Sequence, residues 1–204
     1  LVHLVKEGSA EEVNDTFNAQ ALTMVLTVAI GKALMAQGKK PDALIGFSLG
    51  EISALALAGI LSLDDAFKLL KVRASAMAEA CQQREGAMLA LLAASHEDAE
   101  AVCEACAGED ILLPANFNCP GQVVLSGDAA AIERAEAHWK GMKKKCARLK
   151  TAGGFHSPLM TSASEVLANY FAGSDAPVFN EAEITLICNT DAAPFVVSEA
   201  AERL

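Results

Sequence analysis

The chain has 204 residues, 52% of them hydrophobic, and a formal net charge of −10. That apolar share calls for a buried core and excludes a disordered chain, while the acidic balance argues against a nucleic-acid partner. No run reaches the ~20 uninterrupted apolar residues of a membrane span, and the opening LVHLVKEGSA is too short and polar for a secretory signal, so a cytoplasmic chain with no membrane partner is expected.

Taken in chain order, residues 16–37 read as a helix closed by Gly38 and Pro41. Thr23, Thr27, Gly31 and Lys32 interrupt its apolar run, so a core helix is expected. Residues 42–46 form a short strand, and residues 49–58 a helix apolar nearly all round, which predicts burial on every side. Gly59 ends it, and Ser62 with Asp65 opens the next helix, to about residue 80.

The rhythm then changes. Residues 86–93 read as a strand, Ser95 caps a helix to about Ala107, and residues 110–116 form a strand. FNCPG (117–121) reads as a turn, QVVLSG as a strand, Asp128 as the cap of a helix to about Lys145, and residues 146–150 as a last strand. That order, β-α-β-β-α-β, is the ferredoxin-like pattern. The expected fold class is therefore α/β, with a large domain carrying a parallel sheet (1–84 and 151–204) and a ferredoxin-like subdomain (85–150) inserted in it. Beyond the insertion, Ser157 caps and Pro158 starts a helix to about Ala172. Residues 182–190 are a strand, and the chain closes on the start of another helix.

The six cysteines, Cys81, Cys103, Cys106, Cys119, Cys146 and Cys188, lie scattered in mostly apolar segments. Cys103 and Cys106 have redox or zinc spacing, but they end a helical pattern and no second pair stands at ligand distance. Buried structural thiols in a reducing compartment are expected, with no metal and no cofactor.

Three features carry chemistry. Gly46-Phe47-Ser48-Leu49-Gly50 places a serine where an apolar strand turns into an apolar helix. Glycines two before and two after allow a sharp, strained turn that lifts the hydroxyl, and the helix behind it aims N–H groups at an anion forming there. Arg73 is the second feature. Its angular neighbours on the helix are Ala66, Leu69, Leu70, Ala76, Met77 and Ala80, while Lys68, Lys71 and Ser75 take the opposite face. A guanidinium in the centre of an apolar stripe needs a carboxylate, from a ligand or from Glu51 or Asp191. The third is His156 in TAGGFHSPLM, at a loop–helix junction, where a helix N-terminus favours a neutral, proton-accepting ring.

In this order and spacing, GFSLGEISALALAG, LLKVRASAM, LPANFNCPGQVVLSG, GGFHSPLM and ICNTDAAP resemble the malonyl-CoA:acyl carrier protein transacylases, with the acyltransferase domains of polyketide synthases as the alternative. The resemblance implies a hydrolase-like large domain and malonyl transfer from malonyl-CoA to the phosphopantetheine thiol of an acyl carrier protein in fatty acid biosynthesis. Ser48 would be the nucleophile and His156 the base. Arg73 would pair with the malonyl carboxylate, and the Leu49 N–H would be half of an oxyanion hole. Asn116, Asn118 and Gln122 match a polar wall near the site. Phe155 resembles malonyl-selective members and leaves little room for a 2-methyl branch. Phe47 departs from the family's usual histidine, from which changed packing is expected rather than lost chemistry. The family's glutamine-bearing first loop and its histidine-orienting carbonyl have no counterpart here, so a longer chain of about 300 residues is expected.

A serine hydrolase or esterase is the rival reading. It would need Asp110 or Asp128 as third triad member. A non-catalytic carrier-binding scaffold is another. The run Lys140, Lys143, Lys144, Lys145, Arg148 and Lys150 offers either a solvated helix end or a docking patch for an acidic carrier.

Overall fold

The computed structural model describes residues 1–203. Two short helices, α1 (Val2–Glu7) and α2 (Ala10–Asn14), precede α3 (Thr16–Ala36). Ser9 and Glu12 form a reciprocal capping box on α2, and the Asp15 carboxylate accepts from the Phe17 and Asn18 N–H groups to start α3. By length and composition alone, α3 could cross a membrane. The expectation of a core helix holds for one stripe only. Gln20, Ala21, Met24 and Val28 are buried, whereas Leu26, Ile30 and Leu34 are exposed along another line of the helix. An apolar surface so nearly uniform does not itself select a buried face, and the packed neighbours do so instead.

The chain then enters β1 (Ala43–Ile45), which pairs in parallel with β6 (Thr185–Ile187) in the register Ala43↔Thr185, Leu44↔Leu186, Ile45↔Ile187. Both strands are shorter than their apolar runs suggest. Between β1 and the next helix lies the serine turn, followed by α4 (Leu49–Leu57) and α5 (Leu63–Gln83). Ile52, Ala54 and Leu55 of α4 pack with Met24 and Val28 of α3, with Ala66, Leu69 and Leu70 of α5, and with Leu186 of β6. Helix α4 is thus buried or half-buried along its length, as its composition predicts.

Next come β2 (Gly86–Ala94), α6 (His96–Cys106), β3 (Leu112–Cys119), β4 (Gly121–Asp128), α7 (Ala129–Gly141) and β5 (Cys146–Arg148). They form a four-stranded sheet of order β3-β4-β2-β5 with every neighbouring pair antiparallel. Strand alternation places Ala87, Leu89 and Leu91 against α6 and α7 around a fully buried Trp139. Met88, Ala90 and Val124 take the other face with Phe155.

Three expectations need correction here. The turn expected over FNCPG is confined to Pro120, because β3 runs to Cys119 and β4 resumes at Gly121. Helix α7 stops at Gly141 rather than near Lys145, where Lys143 adopts φ 58° and the Trp139 indole donates to Lys145 O. Asp128 occupies the N-cap position without capping. Its carboxylate instead accepts the Ile111 N–H at 2.7 Å and the Arg84 guanidinium.

After β5, a 3-10 turn (Pro158–Met160) leads into α8 (Thr161–Ala172), then β6, a second 3-10 turn (Val197–Glu199) and α9 (Ala200–Arg203). The chain forms two compact units. One comprises Leu1–Ser75 with the residues from Val166 onward, and the other Ala76–Glu165.

Candidate active site

Ser48 sits between β1 and α4 with φ 52° and ψ −114°. For a residue with a Cβ, that conformation costs about 1–3 kcal/mol and persists only where surroundings enforce it. Gly46 is part of that enforcement. A Cβ there would come closer than 3.0 Å to the Glu51 nitrogen and the Gly50 carbonyl group, so no other residue allows the chain to fold back this tightly. Gly50 differs from expectation, because a Cβ on it would meet nothing within 4 Å. The elbow therefore demands a glycine before the serine, and the second glycine leaves open space beside it.

At the start of α4, the Gly50 and Glu51 N–H groups turn back to Phe47 O and Ser48 O. Helix geometry gives the Leu49 N–H no acceptor within α4, which suits it to a developing oxyanion. Phe47 is 60% exposed.

Arg73 reaches Ser48 from α5. Its Nη2 donates to Ser48 Oγ at 2.8 Å, and its Nη1 donates to Gln20 Oε1. Its predicted helix neighbours Ala66, Leu69, Leu70, Ala76, Met77 and Ala80 are all buried, and Lys68 and Lys71 are exposed. The expected carboxylate partner is not there among the described residues. Asp191 is ion-paired with Arg203 at 3.1 Å, and Glu51 Oε1 accepts the Asn189 N–H at 2.7 Å. Burial pulls the Arg73 pKa down from its ordinary value, and the field of the Glu51 carboxylate works against that pull. Arg73, Ser48 and Glu51 line a small cavity with Ile52, Leu69, Leu167 and Phe171. Arg73 is hydrogen-bonded there only to neutral oxygens, so it retains the capacity to pair with a carboxylate.

Two further groups at this elbow escaped the sequence reading. Gln20 continues the buried stripe of Met24 and Val28 at four-residue spacing, and a polar residue on such a stripe is the signal that could have found it. Asn189 follows β6, and its Oδ1 accepts the Ser48 N–H at 3.4 Å. Asn189 stands in the ICNTDAAP motif, but nothing there marks its bond to Ser48, which spans 141 positions.

The second unit holds the remaining residues. His156 is exposed and has φ 59°, directly before the Ser157 cap. Ser157 Oγ accepts the Leu159 N–H at 3.3 Å and donates to Gly154 O at 2.6 Å, closing the turn locally. The glycine pair before it has a steric cause. A Cβ on Gly153 would collide with Cys81, and one on Gly154 would crowd the Gly127 carbonyl. Phe155 is half-buried, and its carbonyl accepts from Ser126 Oγ at 2.6 Å. Asn116 is buried on β3, and Asn118 Nδ2 donates to Gln122 Oε1 at 3.0 Å across the hairpin.

The basic run is less free than its sequence suggests. Lys140 pairs with Glu136, Arg148 with Glu133, and Lys144 both with Asp98 at 3.0 Å and with the face of Trp139. Lys143 and Lys145 are exposed and make no ion pair among the described residues. Cys103 and Cys106 are buried, and burial pushes the Cys103 thiol up to about 12, far from the thiolate that metal binding or redox exchange requires. Cys119 is exposed, against the expectation of buried thiols.

A strained serine on a strand–helix elbow beside a half-buried arginine is the arrangement of a serine-nucleophile class of site. Residues 1–201 match the acyl transferase domain family, and the chain belongs to that family. It is 38% identical over 194 residues to the malonyl CoA-acyl carrier protein transacylase of Bacillus subtilis, a match covering 94% of this chain and 60% of that relative. Its fold is similar to that of the malonyl CoA-acyl carrier protein transacylase from Coxiella burnetii, with a TM-score of 0.91 at 31% identity, over 98% of this chain and 64% of that one. A similar fit, TM-score 0.91 at 31% identity over 99% of this chain and 65% of the other, is to a malonyl-transacylase solved in complex with a type II polyketide synthase acyl-carrier protein. The chain spans about three fifths of the length of the curated relatives it matches.

Proposed function

We propose that this chain carries the nucleophile and the acyl-selecting groups of a malonyl-CoA:acyl carrier protein transacylase of fatty acid biosynthesis, acting in the cytoplasm. The observation that carries this reading is Arg73, a half-buried guanidinium bonded to Ser48 Oγ and Gln20 with no carboxylate paired to it among the described residues. Malonyl-CoA supplies that carboxylate. With the malonate end on Arg73, the thioester carbonyl lies over Ser48. Ser48 Oγ attacks the carbonyl carbon, the Oγ proton passes to a general base, the role that the resemblance gives His156, and the Leu49 N–H takes up charge on the oxygen. Collapse breaks the C–S bond, and coenzyme A leaves as a thiol with that proton. The carrier's phosphopantetheine thiol then gives its proton to His156 and attacks the ester, releasing Ser48.

The triad hydrolase reading is weaker on an observation in the second unit. Asp110 is committed to Arg134, and Asp128 to Arg84 and the Ile111 N–H. In the same reading, residues 85–150 are a ferredoxin-like subdomain inserted in a hydrolase-like domain of residues 1–84 and 151–204, which the strand order β3-β4-β2-β5 supports. By the same resemblance Asn116, Asn118 and Gln122 match a polar wall near the site and Phe155 a malonyl-selective position, and Lys143 and Lys145 are assigned to carrier docking.

The test is the intact mass of the full-length protein after brief exposure to malonyl-CoA. One malonyl group should add, at Ser48, and holo-carrier should remove it as malonyl-carrier. Release as free malonate instead would favour the hydrolase. Comparing carriers of fatty acid and polyketide synthesis as acceptors separates those two settings.

A further inference from the structure

Glu51 is a buried carboxylate that the transfer chemistry above does not use. It lies on the first turn of α4, three residues after Ser48, and is 7% exposed. Burial raises its pKa, while the Asn189 N–H and the field of Arg73 oppose the rise. An acid in so apolar a helix is costly, and the helix N-terminus accounts for only a small part of the compensation. Its contacts say what it does. Glu51 Oε1 accepts the backbone N–H of Asn189 at 2.7 Å, and the Asn189 side chain accepts the backbone N–H of Ser48 at 3.4 Å. The two bonds stand in series: carboxylate to loop, then loop to elbow.

We propose that Glu51 is a positioning residue for the nucleophile, holding the 188–191 loop so that Asn189 fixes the Ser48 peptide in its strained conformation. The physical case rests on the elbow itself. Ser48 has φ 52°, a state that relaxes unless its own N–H is held. The Ser48 N–H points out of the chain reversal, with no acceptor available in the helix that follows. Asn189 supplies that acceptor from β6's far end. Asn189 is itself exposed and needs an anchor, which the Glu51 carboxylate provides through a charge-assisted bond. Relaxation at Ser48 would rotate the peptide that follows it. That peptide carries the Leu49 N–H, so loosening it weakens nucleophile and oxyanion donor together. Glu51 lines the same small cavity as Ser48 and Arg73, and the role assigned to it is to hold the loop, not to react.

This inference rests on the reading of Ser48 as a nucleophile, and its test is chosen to work whatever the acyl donor. The probe is a fluorophosphonate applied to the full-length protein. Ser48 Oγ bonds to phosphorus, fluoride leaves, and the hydroxyl proton goes to the base or to solvent. Glu51→Ala should slow labelling of Ser48 about tenfold or more, the scale of a lost bond to a charged acceptor. Asn189→Ala keeps the backbone N–H that Glu51 accepts but removes the link to Ser48, and should slow labelling similarly. Because the bonds act in series, the double variant should be no slower than the slower single one. Glu51→Gln keeps an acceptor oxygen and should recover most of the rate. With malonyl-CoA, the loss should fall on the single-turnover rate and leave the half-saturating concentration nearly unchanged. Multiplying losses in the double variant, or native labelling in a folded Asn189→Ala, would overturn the proposal. Asn189 is exposed, so that variant stays informative even where Glu51→Ala does not fold. A wild-type protein that labels at Ser48 but takes no malonyl group would refute the donor assignment and leave the positioning role standing; one that does not label at all would refute both.

Discussion

At the scale of single residues, the site turns on how Arg73 is balanced. A guanidinium in an apolar stripe is tolerable only with oxygen acceptors, and Ser48 and Gln20 provide them. In the proposed function the malonyl carboxylate would compete with those neutral oxygens, which a charge-assisted, bidentate pair does readily. Replacing Arg73 with Ala should cost malonyl transfer about 3–5 kcal/mol. Acetyl transfer should suffer much less, so the malonyl-to-acetyl preference collapses. Lysine should rescue poorly, since it cannot keep two bonds in one plane. An unchanged preference in steady-state assays with both donors would make Arg73 merely structural. The glycine before the serine makes a sharper demand. Gly46→Ala drives a methyl into backbone atoms of the next turn, which cannot move aside as a side chain can. Loss of several kcal/mol of stability, or of all acylation, is expected from denaturant melts and labelling; Gly50→Ala, with open space around it, should be mild in stability.

Elements position these residues by different means. Helix α4 is held by contact with α3, α5 and β6, and so its N-terminal turn is fixed in a packed core. The sheet of the second unit is fastened by a polar joint instead. Asp128 ties the end of β4 to the Ile111 N–H just before β3 and to Arg84 just before β2. Arg84 is half in solvent and can rehydrate, but the Ile111 N–H has no such escape, so Asp128→Ala should destabilise this unit by roughly 2–3 kcal/mol. Thermal unfolding would measure it. Cysteine reactivity should follow burial in the same sheet. Iodoacetamide at neutral pH should modify Cys119 on the hairpin first and reach Cys103 and Cys106 only after unfolding, as peptide mass mapping would show.

At the scale of the whole molecule, an acidic protein serving an acidic carrier, as proposed, would have to offset their mutual repulsion locally. Only part of the basic run is available for that. Lys144 is bound to Asp98 and lies 4.2 Å from the Trp139 ring centre, so reversing its charge would damage the fold and confuse the result. Lys143 and Lys145 are the informative pair. Their joint replacement by Glu should raise the carrier KM, leave malonyl-CoA use nearly intact, and reduce the dependence of KM on ionic strength. Equal loss for both substrates would point to misfolding, and no loss for either would mark the run as a solvated surface.

What the residues alone determined was whatever depends on local periodicity and local sterics. The element order, the helix neighbours of Arg73, the strain at Ser48 and the Ser157 cap all follow from positions within a few turns of one another. The places where tertiary structure decided otherwise have a common cause. Helix α3 is apolar all round, so its neighbours chose its buried stripe. Asp128 stands where a cap belongs, yet Arg84 and Ile111 offered its carboxylate stronger partners from elsewhere in the chain. The partners of Arg73 and the Ser48 N–H come from Gln20 and Asn189, 53 and 141 positions away. Hydrogen bonds across such separations leave no periodic trace in a sequence, because only the closing of the fold brings their two ends together.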